Sequence, residues 1–126
     1  MSGPLCLDHI TLHVADVPRA IAFYRAALAP LDIALAMEAP GGVAAGFGVA
    51  GKPSFWIAPG GPTTPPVHVC FRASSRAAVD RFHAAALAAG ATDNGAPGVR
   101  EHYRPDYYAA FVRDPESHNI EAVCFV

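Results

Sequence analysis

Residues 7–14 (LDHITLHV) and 67–72 (VHVCFR) decide how this chain folds, because each alternates apolar and polar side chains and each leads into a helix-forming stretch. In the first, Ile10, Leu12 and Val14 point to one face while His9, Thr11 and His13 point to the other. In the second, Val67, Val69 and Phe71 oppose His68, Cys70 and Arg72. A period of two is the mark of a strand with one buried face. Asp16 is placed to cap a helix after the first strand, with Pro18 in its first turn, where a missing N–H does no harm. Val17, Ile21, Tyr24 and Leu28 follow at helical spacing, and Pro30 is expected to stop the helix. After the second strand, Ser74 and Ser75 are cap candidates for a helix over 76–89, which Gly90 closes in the left-handed conformation. Shifting the chain by 59 residues, the difference between 68 and 9, lays His9 on His68, Phe23 on Phe82 and Leu28 on Leu87 without a gap.

Each helix is followed by strand material. After the first come 33–38, 44–49 and 54–58, separated by Pro40-Gly41-Gly42 and Gly51-Lys52-Pro53. After the second come a short segment near Thr92, then 107–113 and 119–125, with Asp114-Pro115 opening the last turn. The order is strand, helix, three strands, given twice. It predicts an α+β chain of two βαβββ modules in a single domain over 1–126. Module one covers 5–58, a stiff linker 59–66 (PGGPTTPP), and module two 67–126. One helix cannot cover both faces of its sheet, so the modules pair within the chain or across a dimer and leave a second face to line a cavity. Residues 93–106 (DNGAPGVREHYRPD) read as a long irregular loop, a candidate lid.

Composition narrows the function. Of 126 residues, 52% are apolar and 16% charged, enough for a packed core and too few charges for disorder. A net charge of −2 with interspersed signs gives neither the basic face that nucleic acid requires nor a polybasic membrane patch. Apolar runs fall short of a membrane span and no signal-peptide pattern opens the chain, so a cytoplasmic protein is the expectation. Three cysteines without CxxC spacing do not make a disulfide framework, and Cys70 and Cys124 sit in apolar runs as small hydrophobes.

The polar residues gather on the cavity-side faces. His9 and His68 occupy matched positions of the repeat, and Glu121 interrupts an apolar terminal strand between Ile120 and Ala122. Two imidazoles and a carboxylate bind one side of a divalent metal and leave positions open for substrate, whether the ion is iron, zinc, manganese or nickel. Taken singly, each residue has a plainer explanation: a hydrogen-bonded strand histidine, or a glutamate solvated on an edge strand. Thr11 and His13 share the face of His9 as substrate contacts. In 93–106, Arg100 or Arg104 can offer a fork of donors to an anionic substrate, and Tyr103 or His102 an acid or base. His83 and His118 receive no role.

The opening LDHITLHVADVPRAIAFYRAAL and the closing YYAAFVRDPESHNIEAV resemble the vicinal oxygen chelate superfamily, which includes glyoxalase I, bleomycin-resistance proteins, fosfomycin thiol transferases and extradiol dioxygenases. The resemblance implies a curved mixed sheet around a central cavity, with ligands on the first and last strands of each module, at positions His9, Trp56, His68 and Glu121. An indole does not ligate metal, so His9, His68 and Glu121 remain as the metal set, Glu121 also serving catalysis. Trp56 becomes an aromatic wall for substrate, and Tyr107 is placed looking into the site. The resemblance further implies a homodimer acting on a small oxygen-bearing molecule as a metal-dependent lyase, isomerase, dioxygenase or thiol transferase. The competing expectation is a metal-free binding protein that sequesters its ligand as the bleomycin-resistance proteins do.

Overall fold

The computed structural model describes residues 6–126, so position 5, where module one was expected to begin, lies outside the described residues. Module one is β1 (Ile10–Val14), α1 (Val17–Leu28), β2 (Ala34–Glu38), β3 (Ala45–Val49) and β4 (Lys52–Pro59). Module two is β5 (His68–Arg72), α2 (Arg76–Ala88), β6 (Thr92–Val99), β7 (Tyr107–Arg113) and β8 (Asn119–Phe125). Each forms one four-stranded mixed sheet, ordered β1-β4-β3-β2 and β5-β8-β7-β6. The first strand of each module runs parallel to the last, and the remaining pairs are antiparallel. This is the twofold βαβββ arrangement that the sequence predicts. No helix among the described residues is long and apolar enough to cross a membrane.

The helix starts follow their caps. Asp16 Oδ1 accepts the Arg19 N–H at 3.1 Å, and Ser75 Oγ accepts that of Ala78 at 3.0 Å. Pro30 does not end the first helical run outright. The chain tightens into a 3-10 turn over Ala29–Leu31, where proline stands in a first turn, and Asp32 then turns out in the left-handed region.

The expected loop over 93–106 is corrected. Thr92–Val99 is a strand, and only the segment beyond it turns. Asp, Asn, Gly and Pro have poor strand propensity, which hid how far the strand material near Thr92 extends. As the outer strand of its sheet, β6 tolerates Pro97 and two register shifts, one on each side of Gly95. Gly95 is required there: its φ is +153°, and a Cβ would come within 3.0 Å of the Phe111 ring. The turn that follows is held by the Arg100 N–H on the Tyr107 carbonyl at 2.7 Å and by an Arg104–Asp106 ion pair.

A single core joins the modules. Leu12, Phe47, Phe55 and Ile57 of the first sheet pack with Phe23, Tyr24 and Leu28 of α1, while Val112, Ile120 and Ala122 pack with Val79, Phe82 and Ala86 of α2. Phe55 bridges the two sets, edge-on to Tyr24 at 5.0 Å and to Phe71 at 5.2 Å. Polar groups then fix one module against the other. Buried Asp114, in the β7–β8 turn, accepts the N–H groups of Glu116 and His118 through Oδ1 and the Tyr24 hydroxyl through Oδ2. The Glu116 carboxylate in turn accepts the N–H groups of Ala15 and Asp16 at the start of α1.

Asp114→Ala leaves three donors without their acceptor and is expected to lower the unfolding free energy by about 3 kcal/mol or more. Tyr24→Phe removes one hydroxyl and is expected to cost about 1–2 kcal/mol. Urea denaturation of both variants checks this. Equal losses would mean that Asp114 does not act as the intermodule clasp.

Candidate functional site

The second sheet turns one face to α2 and the other away. Register places Cys70, Glu121 and Phe111 in one row across β5, β8 and β7, and His68, Asn119 and Arg113 in the next. Because β8 lies between β5 and β7, Glu121 is on an interior strand and not on a solvated edge. Its side chain is 1% exposed. A carboxylate so enclosed costs several kcal/mol unless its oxygens are paired, and both are. Oε1 stands 2.7 Å from His68 Nε2, and Oε2 accepts the Tyr107 hydroxyl. Loss of water around the Tyr107 hydroxyl, reinforced by Glu121, raises its pKa, so at neutral pH it remains the donor.

Above this carboxylate opens a cleft of about 640 Å³ lined by His68, His102, Tyr103, Tyr107, Phe111, Asn119 and Glu121. Its walls are rings: Tyr103 lies 4.9 Å from Tyr107 and His102 lies 4.1 Å from Tyr103, centre to centre. Tyr103 is more than half exposed at the mouth. Arg100 does not hang free over the opening. Its guanidinium donates to the carbonyls of Gly98 and Ala96, each at 2.8 Å, and stacks on Phe111. Cys70, beside Glu121, is an exposed residue with an inward-turned thiol. Loss of water around that thiol, and then the Glu121 carboxylate, push it up to about 12, which leaves it protonated and poorly nucleophilic.

Of the three expected metal ligands, the fold brings His68 and Glu121 together and leaves His9 apart. His9 is half exposed, has Asp8 at 2.8 Å, and lines a second groove of about 230 Å³ between the modules with Ile10, Phe55, Val69 and Cys70. Cys70 therefore stands between His9 on one side and Glu121 on the other. Among the described residues, no three His, Cys, Asp or Glu side chains stand close enough to share an ion. The other candidates sit on the first sheet. Thr11 pairs in register with Trp56, whose indole lies over the backbone of β3 at Gly46, where a Cβ would meet the ring at 2.8 Å. The exposed His13 holds the Pro59 carbonyl through Nδ1 at 2.9 Å.

Asn119 and the Tyr107–Glu121 bond escaped the sequence reading. Tyr107 faces Phe125 in register and reaches diagonally to Glu121 across the sheet. Only the hairpin register through 114–118 reveals that contact, and a single sequence does not print it.

Comparison with known proteins agrees with this architecture. Residues 9–123 match the glyoxalase-like domain. The chain is 28% identical to a glyoxalase/bleomycin resistance protein from Albidiferax ferrireducens, with a TM-score of 0.77 over 93% of this chain and 96% of that one. A glyoxalase/bleomycin resistance protein/dioxygenase family enzyme from Burkholderia phytofirmans shares the fold at 19% identity and a TM-score of 0.72, covering 94% and 98%. So does a lactoylglutathione lyase from Agrobacterium tumefaciens, at 19% identity and a TM-score of 0.67, covering 96% and 94%. No curated protein matches the chain. Matched over residues 9–123, the chain belongs to the glyoxalase-like domain family of the vicinal oxygen chelate superfamily.

Proposed function

We propose that the chain is a cytoplasmic, homodimeric enzyme that converts a small oxygen-bearing molecule in the module-two cleft, with a divalent metal held by His68, Glu121 and His9. The observation that carries this reading is the buried Glu121 carboxylate, preset against His68 at the floor of a ring-walled cleft. The donor chemistry suits such an ion, since neutral imidazole and carboxylate together serve zinc, iron, nickel and manganese. One chain presets two donors. The third, His9, is engaged among the described residues by exposed Asp8 alone and is released at little cost, either to turn toward Cys70 or to serve a second copy. Pairing with that copy is supported by β1 and β5, each an edge strand with an unpaired backbone side, and by exposed Leu7, Ile10 and Met37.

A bound metal would polarise two neighbouring substrate oxygens through its open positions. The chain's own residues do the rest. Tyr107 holds Glu121 Oε2 and fixes the carboxylate plane, which keeps Oε1 turned to His68. Tyr103, at the mouth, is placed to exchange a proton with a substrate oxygen, and Tyr107 and Phe111 exclude water. Trp56, Thr11 and His13, on the first sheet, supply the facing wall when a second copy closes the cleft. A second reading, metal-free ligand sequestration, draws support from one feature: both Glu121 oxygens already have protein partners.

Elemental analysis of protein purified without chelator is expected to give about one transition metal per chain, lost in His68→Ala and Glu121→Ala and weakened in His9→Ala. Absence of metal after reconstitution with iron, zinc, manganese and nickel would reject the metal-dependent reading and leave sequestration. For the thiols, iodoacetamide at pH 8 is expected to modify exposed Cys6 while sparing Cys70. Mass spectrometry showing equal labelling would mean that Cys70 is available as a nucleophile.

A further inference from the structure

Three arginines stand on aromatic rings beside the cleft, and two of them are already engaged. Arg100 is spent on the carbonyls of Gly98 and Ala96. Arg104 forms a two-point pair with Asp106, at 2.8 and 3.1 Å. Arg72 differs. Its guanidinium lies 4.8 Å from the centre of the Phe125 ring and makes no hydrogen bond or ion pair among the described residues. Arg104 stands on the same ring at 4.3 Å, so the two guanidiniums lie within about 9 Å of each other. Asp106 pairs with Arg104.

Arg72 is also well placed along the sheet. It follows Cys70 on the same face of β5, about 7 Å further along the strand, and Cys70 faces Glu121 in register. Phe125, under the guanidinium, packs against Tyr107 at 5.4 Å, and Tyr107 bonds Glu121. A flat molecule lying along Tyr107 with an oxygen at Glu121 and His68 would present its far end to Arg72. Guanidinium on a ring, with its fork of N–H groups free, favours a planar oxyanion there.

We propose that the cleft selects a small, flat acid, bound by a hydroxyl or carbonyl oxygen at His68 and Glu121 and by a carboxylate at Arg72. This rests on the module-two cleft being the working site proposed above, and it adds the class of substrate and the residue that chooses it. Arg72 rather than Arg100 or Arg104 is then the specificity-determining cation.

Calorimetric titration of the full chain with 4-hydroxybenzoate and with its neutral counterpart, 4-hydroxybenzamide, tests it. The acid is expected to bind at least about tenfold more tightly than the amide, as a charge-assisted pair supplies. Arg72→Met is expected to abolish that preference while binding the amide as before, and Arg72→Lys to restore part of it. Glu121→Gln is expected to weaken both ligands. Equal binding of acid and amide, or a preference that survives in Arg72→Met, overturns the anion site. Should neither ligand bind the native chain, the proposed class falls. An acid preference that depends on Arg72 but ignores Glu121→Gln would place the anion site outside the cleft and overturn the two-ended arrangement.

Discussion

Each sheet in this protein has two faces and one helix, and most of its architecture follows from that shortage. The helix-facing rows carry Leu12, Phe55 and Ile57 in module one and Val112, Ile120 and Ala122 in module two, and they merge into a common core. Burying those rows supplies the main stabilisation. The opposite rows have no helix to cover them and carry His68, Cys70, Arg72, Glu121 and Tyr107 instead. A cleft is therefore what remains when a βαβββ module has buried the one face it can. The strand edges of β1 and β5 are left over for the same reason.

On the open face of module two, one residue breaks the expected division between inside and outside. Glu121 is as buried as the core yet charged in type, and its environment compensates by placing a donor at each oxygen. The same arrangement governs its neighbours. Loss of water, and after it the Glu121 carboxylate, keeps the Tyr107 hydroxyl protonated and holds Cys70 back from its thiolate. Burial and this carboxylate act together on the two groups beside it. Asp114 plays the comparable part away from the cleft. There a buried carboxylate satisfies backbone donors of its own turn and the Tyr24 hydroxyl, locking the β7–β8 turn to α1.

Legibility in the sequence divides along physical lines. The strands at 10–14 and 68–72 and the two helices were readable because alternation, caps and helical spacing are local. The end of α1 was only partly readable, since a proline stops an α-helix but is welcome in the first turn of a 3-10 segment. Of β6 only the start near Thr92 was readable. Its Asp, Asn, Gly and Pro residues speak for a loop, and pairing with β7 from the sheet's edge overrides them. In the site, His68 and Glu121 stand together because adjacent parallel strands carry both. His9 shares the repeat position of His68 but stands across a groove bordered by Cys70. Symmetry in sequence did not bring equal placement in space.

By itself, the sequence determined the twofold βαβββ order, the caps, the buried rows and the residues able to carry chemistry. These depend on periods of two and 3.6 and on side-chain type, which neighbours along the chain are enough to express. Only the tertiary structure decided that Tyr107 rather than a metal ligand holds the second oxygen of Glu121. It alone showed that Arg100 and Arg104 are engaged while Arg72 has no polar partner among the described residues, and that Trp56 lies on Gly46. Each of these turns on strand register or on competition for a partner tens of residues away. Such contacts exist only once the sheets have formed.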